Sequence, residues 1–145
     1  MFKRILIPTD GSELARIAIE AAVKLAKESG ATVIAYYGLE LPEPHLAGSE
    51  YIVSMKKTFE ERARETGGGY LAQVEEAARN AGVPCESLMT TPRTAYQGII
   101  DAAKEKNCDV IFMASHGRGD FASLVLGSVT HRVLAHSKIP VLVYR

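Results

Sequence analysis

Residues Asp109–Thr130 read DVIFMASHGRGDFASLVLGSVT, and the fold turns on how that stretch divides. Its apolar run, Val110-Ile111-Phe112-Met113, has the length and character of a buried strand. The run breaks into Ser115-His116-Gly117-Arg118-Gly119. Nine residues, Arg118 to Leu126, then separate Gly117 from Gly127-Ser128. After them Val129, Val133 and Leu134 return at helical spacing. A strand, a glycine-bearing loop and a helix start therefore follow one another. Glycine lacks the Cβ that holds a ligand off the backbone, and the first turn of a helix has unpaired N–H groups. That order suits an anion.

Outward from this stretch, strands and helices alternate. Phe2 to Pro8 is short, aliphatic and stopped by proline, which reads as a buried strand. Thr9-Asp10-Gly11-Ser12 is a loop, with Ser12 as N-cap and Glu13 in the first turn of a helix. That helix should bury Leu14, Ile17, Ala18, Ala21, Ala22 and Leu25 and end at Gly30. Ala31 to Gly38 is a second strand and Leu39 to Gly48 a loop. A helical region runs from about Glu50 to Asn80. Its charged first half puts Ile52, Met55, Phe59 and Ala63 along one side. Gly67-Gly68-Gly69 should kink or break it, since each glycine costs a helix about 1 kcal/mol against alanine. Leu71, Val74 and Ala78 dock its second half. Cys85 to Thr90 is a third strand, less apolar and so expected at an edge. Thr94 and Gln97 have capping-box spacing and open a helix that buries Tyr96, Ile99, Ile100 and Ala103 and stops near Asn107. Ile139 to Tyr144 is the fifth strand, its proline near the start, where a lost N–H is tolerated.

Strict alternation of buried strands with amphipathic helices predicts an α/β fold. The expected architecture is one domain, residues 1–145, with an open five-stranded parallel sheet in the order 3-2-1-4-5 and helices on both faces. At 145 residues the chain can bury a real core. Lys+Arg and Asp+Glu each number 17, so there is no basic excess to attract nucleic acid. Apolar residues make up 47%, yet no stretch is long enough to span a membrane or serve as a signal-peptide core. The expected setting is the cytosol. Cys85 and Cys108 lack a CxxC partner and read as reduced, partly buried thiols.

Open parallel sheets bind ligands beyond the carboxyl ends of their strands, where the strand order reverses. In the expected order the loops after strands 1 and 4 face each other there, and these carry Thr9-Asp10-Gly11 and Ser115 to Gly119. Phosphate oxygens suit the start of the helix at Gly127-Ser128. Asp10 is the acidic partner for a ribose hydroxyl, a base amine or a metal ion. Plainer roles fit the same residues. Gly117 and Gly119 suit turns, Gly127 a close helix–sheet contact, and Ser128 or Asp10 a helix cap. His116 suits a loop hydrogen bond, and His45, His131 and His136 show no metal-ligand spacing. Gly117-Arg-Gly119-Asp-Phe-Ala122 matches a dinucleotide fingerprint only by letter, with no acidic residue about twenty positions on. There is no Walker A sequence and no nucleophile elbow.

Met113-Ala-Ser-His-Gly-Arg-Gly119, Leu126-Gly-Ser-Val129 and His136-Ser-Lys-Ile-Pro-Val-Leu-Val143 resemble the universal stress protein family. So does the opening, Lys3-Arg-Ile-Leu-Ile-Pro-Thr-Asp-Gly-Ser12, and the resemblance covers essentially the whole chain. It implies a Rossmann-like fold of the adenine-nucleotide alpha hydrolase kind. Nucleotide-binding members carry G-x2-G-x9-G-[ST]. Gly117, nine residues, and Gly127-Ser128 match its second and third parts. Ala114 replaces the first glycine and adds a methyl where backbone should approach ribose and phosphates. The family also has a branch without the motif that does not bind ATP.

By this match Pro8, Thr9 and Asp10 line the adenosine, and backbone near Gly38 meets the adenine. Gly117, Arg118, Gly127, Ser128, Val129 and Thr130 surround the phosphates, with Met113, Ala114 and His116 completing the site. The ligand implied is ATP, or AMP or ADP, with or without Mg²⁺. Catalysis is expected to be slow or absent, since neither a general base for the γ-phosphate nor a catalytic lysine is evident. The resemblance also implies a homodimer formed by the last strands, and Val141 to Tyr144 is apolar enough to need such a cover. The alternative expectation is a vestigial crevice in a dimer that works by binding other proteins.

Overall fold

The computed structural model describes residues 1–41, 50–118 and 125–145, with Tyr51 and Ile52 described for backbone only. Its strands are β1 (Arg4–Pro8), β2 (Thr32–Gly38), β3 (Cys85–Thr90), β4 (Val110–Ala114) and β5 (Val141–Tyr144). They pair in parallel in the order β3-β2-β1-β4-β5. The expected sheet order is therefore the observed one. Between the strands run α1 (Glu13–Ser29), α2 (Glu50–Ala81), α3 (Ala95–Glu105) and α4 (Ser128–His136).

The central strands are apolar on both faces because both faces are covered. Ile5, Ile7, Val33, Val110 and Phe112 point into one cluster with residues of α1 and α2. Leu6, Ile34, Tyr36, Ile111 and Met113 point into the other, with residues of α3 and α4. β3 is half-exposed and lies at one edge, as its polar composition predicts. At the amino end of the sheet Asp109 accepts from the Lys3 and Arg4 amides at 2.8 and 3.2 Å. Arg4 in turn pairs with Glu86 at 3.1 Å.

Ser12 caps α1 as expected, accepting from the Ala15 amide at 3.2 Å. Gly30 ends it at φ 67°, a left-handed conformation that a side chain would strain. Ala18 and Ala22 are buried and Ala21 and Leu25 half-buried as expected, but the face is turned from the expected one. Ala15, Ala18, Ile19, Ala22, Val23 and Ala26 face the sheet, while Leu14 and Ile17 are 38% and 37% exposed. Two apolar stripes run along this helix, and the stripe with four alanines lets the helix axis approach the sheet more closely.

α2 also corrects an expectation, because it runs unbroken through Gly67–Gly69. Gly67 is buried against the Tyr37 ring, which a Cβ would strike, so tertiary contact offsets the weak propensity. Leu71, Val74 and Ala78 dock the second half as expected. In the first half Met55 and Phe59 lie exposed.

The capping box at α3 does not form. Thr94 is the N-cap residue, but its side chain makes no capping bond, and Gln97 donates instead to Asp101 at 2.9 Å. Ile99, Ile100 and Ala103 are buried as expected. In α4, Val133 is buried and Leu134 exposed. The expectations for Gly119 and His45 fall outside the described residues.

Candidate functional site

The strand order reverses between β1 and β4, and the chain leaves β1 for α1 on one face and β4 for α4 on the other. A crevice opens at the carboxyl ends between them, as such a reversal requires. It encloses about 370 Å³, within the usual range for a small-molecule site.

Its floor is the end of the sheet. Pro8 and Thr9 follow from β1, Gly38 from β2, and Met113 and Ala114 from β4. The Thr9 amide donates to the Tyr36 carbonyl at 2.9 Å, carrying the β1–β2 ladder to the start of the loop. Asp10 stands at the mouth. One of its oxygens accepts from the Ser12 amide at 2.9 Å and the other from the Arg118 amide at 2.6 Å. The loops after β1 and β4 are thereby joined through a carboxylate held by two backbone donors. Each of its oxygens keeps a lone pair for a ligand hydroxyl.

His116, Gly117 and Arg118 form one wall, and Ser128, Val129 and Thr130, the first turn of α4, form another. Thr130 is buried and donates to the Ala114 carbonyl at 3.0 Å, tying α4 to the end of β4. Gly127 is the N-cap residue of α4, but it does not line the cavity. It is buried, with its amide on the Ser115 carbonyl at 2.7 Å. Having no side chain, it cannot cap the first turn, whose N–H groups keep their attraction for an anion. His116 shares a hydrogen bond from Nδ1 with buried Ser115 Oγ at 2.9 Å, an arrangement that anchors the loop.

Sequence reading missed a third wall. Tyr36, Tyr37 and Glu40 close the site beyond β2, Ala95 and Ile99 reach it from α3, and Tyr70 reaches it from α2. The Tyr37 and Tyr70 rings meet edge to face, 5.6 Å between centroids. Burial, then the neighbouring Tyr70 and Glu40, push the Tyr37 phenol up, so it stays neutral. The one signal for Tyr70 in the sequence was its place directly after three glycines, which marks a close approach as readily as a break.

The universal stress protein family profile matches residues 1–145. The chain belongs to the universal stress protein family. The Bacillus subtilis universal stress protein YxiE is 32% identical over 149 residues, covering 100% of both chains. The structure of MJ0577, from Methanocaldococcus jannaschii, superposes with a TM-score of 0.83 at 25% identity and covers 99% of this chain and 95% of that one. An Archaeoglobus fulgidus universal stress protein in complex with dAMP superposes with a TM-score of 0.66 at 19% identity, covering 99% and 98%.

In this universal stress protein Ala114 is only 9% exposed. Its methyl belongs to the apolar cluster beneath α1, and its carbonyl is taken by Thr130.

Proposed function

We propose that this universal stress protein binds ATP or a related adenine nucleotide in the crevice and works as a cytoplasmic stress-response or signalling module, with slow turnover or none. In this reading the base lies toward Gly38 and the ribose on Asp10. The phosphates meet Gly117, Arg118 and the first turn of α4. The bond between the Asp10 carboxylate and the Arg118 amide carries the reading, because it sets an acceptor for ribose beside donors for phosphate at one mouth. The burial of the Ala114 methyl among core residues supports it further, since a methyl taken up by packing obstructs a ligand least. Among the described residues no three His, Cys, Asp or Glu side chains gather as a metal cage. If Mg²⁺ accompanies the nucleotide, Asp10 is the carboxylate that would hold it, in place of a ribose hydroxyl.

Calorimetric titration with ATP, with and without Mg²⁺, tests this. Saturable heat is expected, and none at millimolar ligand would remove the reading. Asp10→Ala should weaken binding by about 10- to 100-fold, the range for lost hydrogen bonds to a charged group.

A second reading rests on Val53, Met55 and Phe59, which lie exposed on the first half of α2. In that case the crevice is vestigial and the protein acts by binding other proteins. Ala114→Gly separates the two: ATP affinity found only in this variant would favour the second.

A further inference from the structure

Tyr70 belongs to no part of the nucleotide motif, yet three residues, Gly11, Tyr37 and Arg118, converge on it. Its ring covers Gly11, whose φ is 75° and whose missing Cβ leaves the room it occupies. Tyr37 packs edge-on against it. Gly67, one turn earlier on α2, makes room for Tyr37 in the same way. The third residue on Tyr70 is Arg118. Its guanidinium carbon lies 5.5 Å from the Tyr70 ring centroid, and its Nη2 donates to the Tyr70 hydroxyl at 2.9 Å. The amide of the same arginine is on Asp10.

An exposed arginine ordinarily samples many rotamers, and a ligand that engages it must order it. Here backbone and side chain are both anchored, one on the β1 loop and one on α2. A guanidinium has five donors in a planar fork, so one bond to a phenol leaves capacity for phosphate oxygens.

Building on the nucleotide reading, we infer that Tyr70 is a positioning residue that holds Arg118 at the crevice wall, and that this pair makes the site prefer phosphorylated nucleotides to nucleosides. The uncharged part of a ligand gains nothing from a fixed cation. A phosphate gains a donor whose ordering is already done.

Titration of the full chain with ATP, AMP and adenosine, at low salt, tests this in the wild type, Tyr70→Phe and Tyr70→Leu. The wild type should bind both nucleotides more tightly than adenosine. Tyr70→Leu should weaken ATP and AMP by about 10-fold and leave adenosine within about 2-fold, the size expected when a cation–π and hydrogen-bonding partner is lost. Tyr70→Phe keeps the ring and the fold and should weaken the nucleotides by about 3-fold. If the wild type binds none of the three, the nucleotide reading falls and this inference with it. If it binds them and Tyr70→Leu weakens all three alike, Tyr70 is only a wall and the inference alone is overturned. Tighter ATP binding in Tyr70→Phe would also overturn it, since the phenol would then be competing with phosphate for Arg118.

Discussion

A methyl group added at Gly67 would strike the Tyr37 ring, whereas one added at Gly68 meets nothing within 4 Å. These neighbouring glycines therefore predict opposite results. Gly68→Ala should stabilise the protein by about 0.5–1 kcal/mol through helix propensity. Gly67→Ala should destabilise it by a net of up to about 2 kcal/mol, because an overpacking cost of about 1–3 kcal/mol outweighs the propensity gain of about 1 kcal/mol. Urea unfolding of the two variants checks both. The sequence shows the cost of three glycines in a helix but not the ring that fills the space beside one of them, so a break was the natural expectation. Cys108 offers a second test. Burial pushes its thiol up to about 11. A folded-state pKa above the unfolded one gives stability that is present below the unfolded value and lost as pH rises through the folded value. Tm should hold up to about pH 8.5 and fall toward pH 11, and Cys108→Ala should lessen that fall.

Two helices with similar opening signals differ in how their caps are made. Ser12 bonds the Ala15 amide, while the Thr94 side chain bonds no amide of its helix. Ser12→Ala should cost about 1 kcal/mol and Thr94→Ala only a few tenths, readable as shifts in denaturant midpoint. The number, kind and order of the elements were legible because short continuous apolar runs mark strands buried on both faces, while a period of about 3.6 marks the helices. Which stripe of α1 faces inward was not. Leu14 and Ile17 are as apolar as the residues that won, and only the sheet, which α1 approaches through Ala15, Ala18, Ala22 and Ala26, decides between the stripes. The α2 wall of the crevice was hidden for a related reason. Tyr70 reaches the site from an element far from the glycine loops in sequence, and periodicity gives no distance between elements.

Across the molecule, the reversal of strand order brings Asp10 to Arg118, 108 positions away along the chain. That meeting was legible once strands 1 and 4 were taken as neighbours. β5 is the open edge beside β4. The Tyr144 carbonyl accepts from Ser115 and the Pro140 carbonyl from Ile111, so by alternation Val141 and Val143 aim their backbone groups outward. We expect a homodimer paired along this edge. Val143→Pro removes an outward N–H and spares the ladder to β4, so sedimentation should show a monomer with an unchanged circular dichroism spectrum. A dimer that survives the proline would place the contact elsewhere. The continuity of α2 has a mechanical side. Its inner half is clamped by Leu71, Val74 and Ala78, while no described side chain before Gly67 is buried. At 1.5 Å per residue, Phe59 sits about 16 Å along a stiff rod from Tyr70. A partner that gripped the outer arm would therefore act on the same unbroken helix that carries Tyr70 to the crevice.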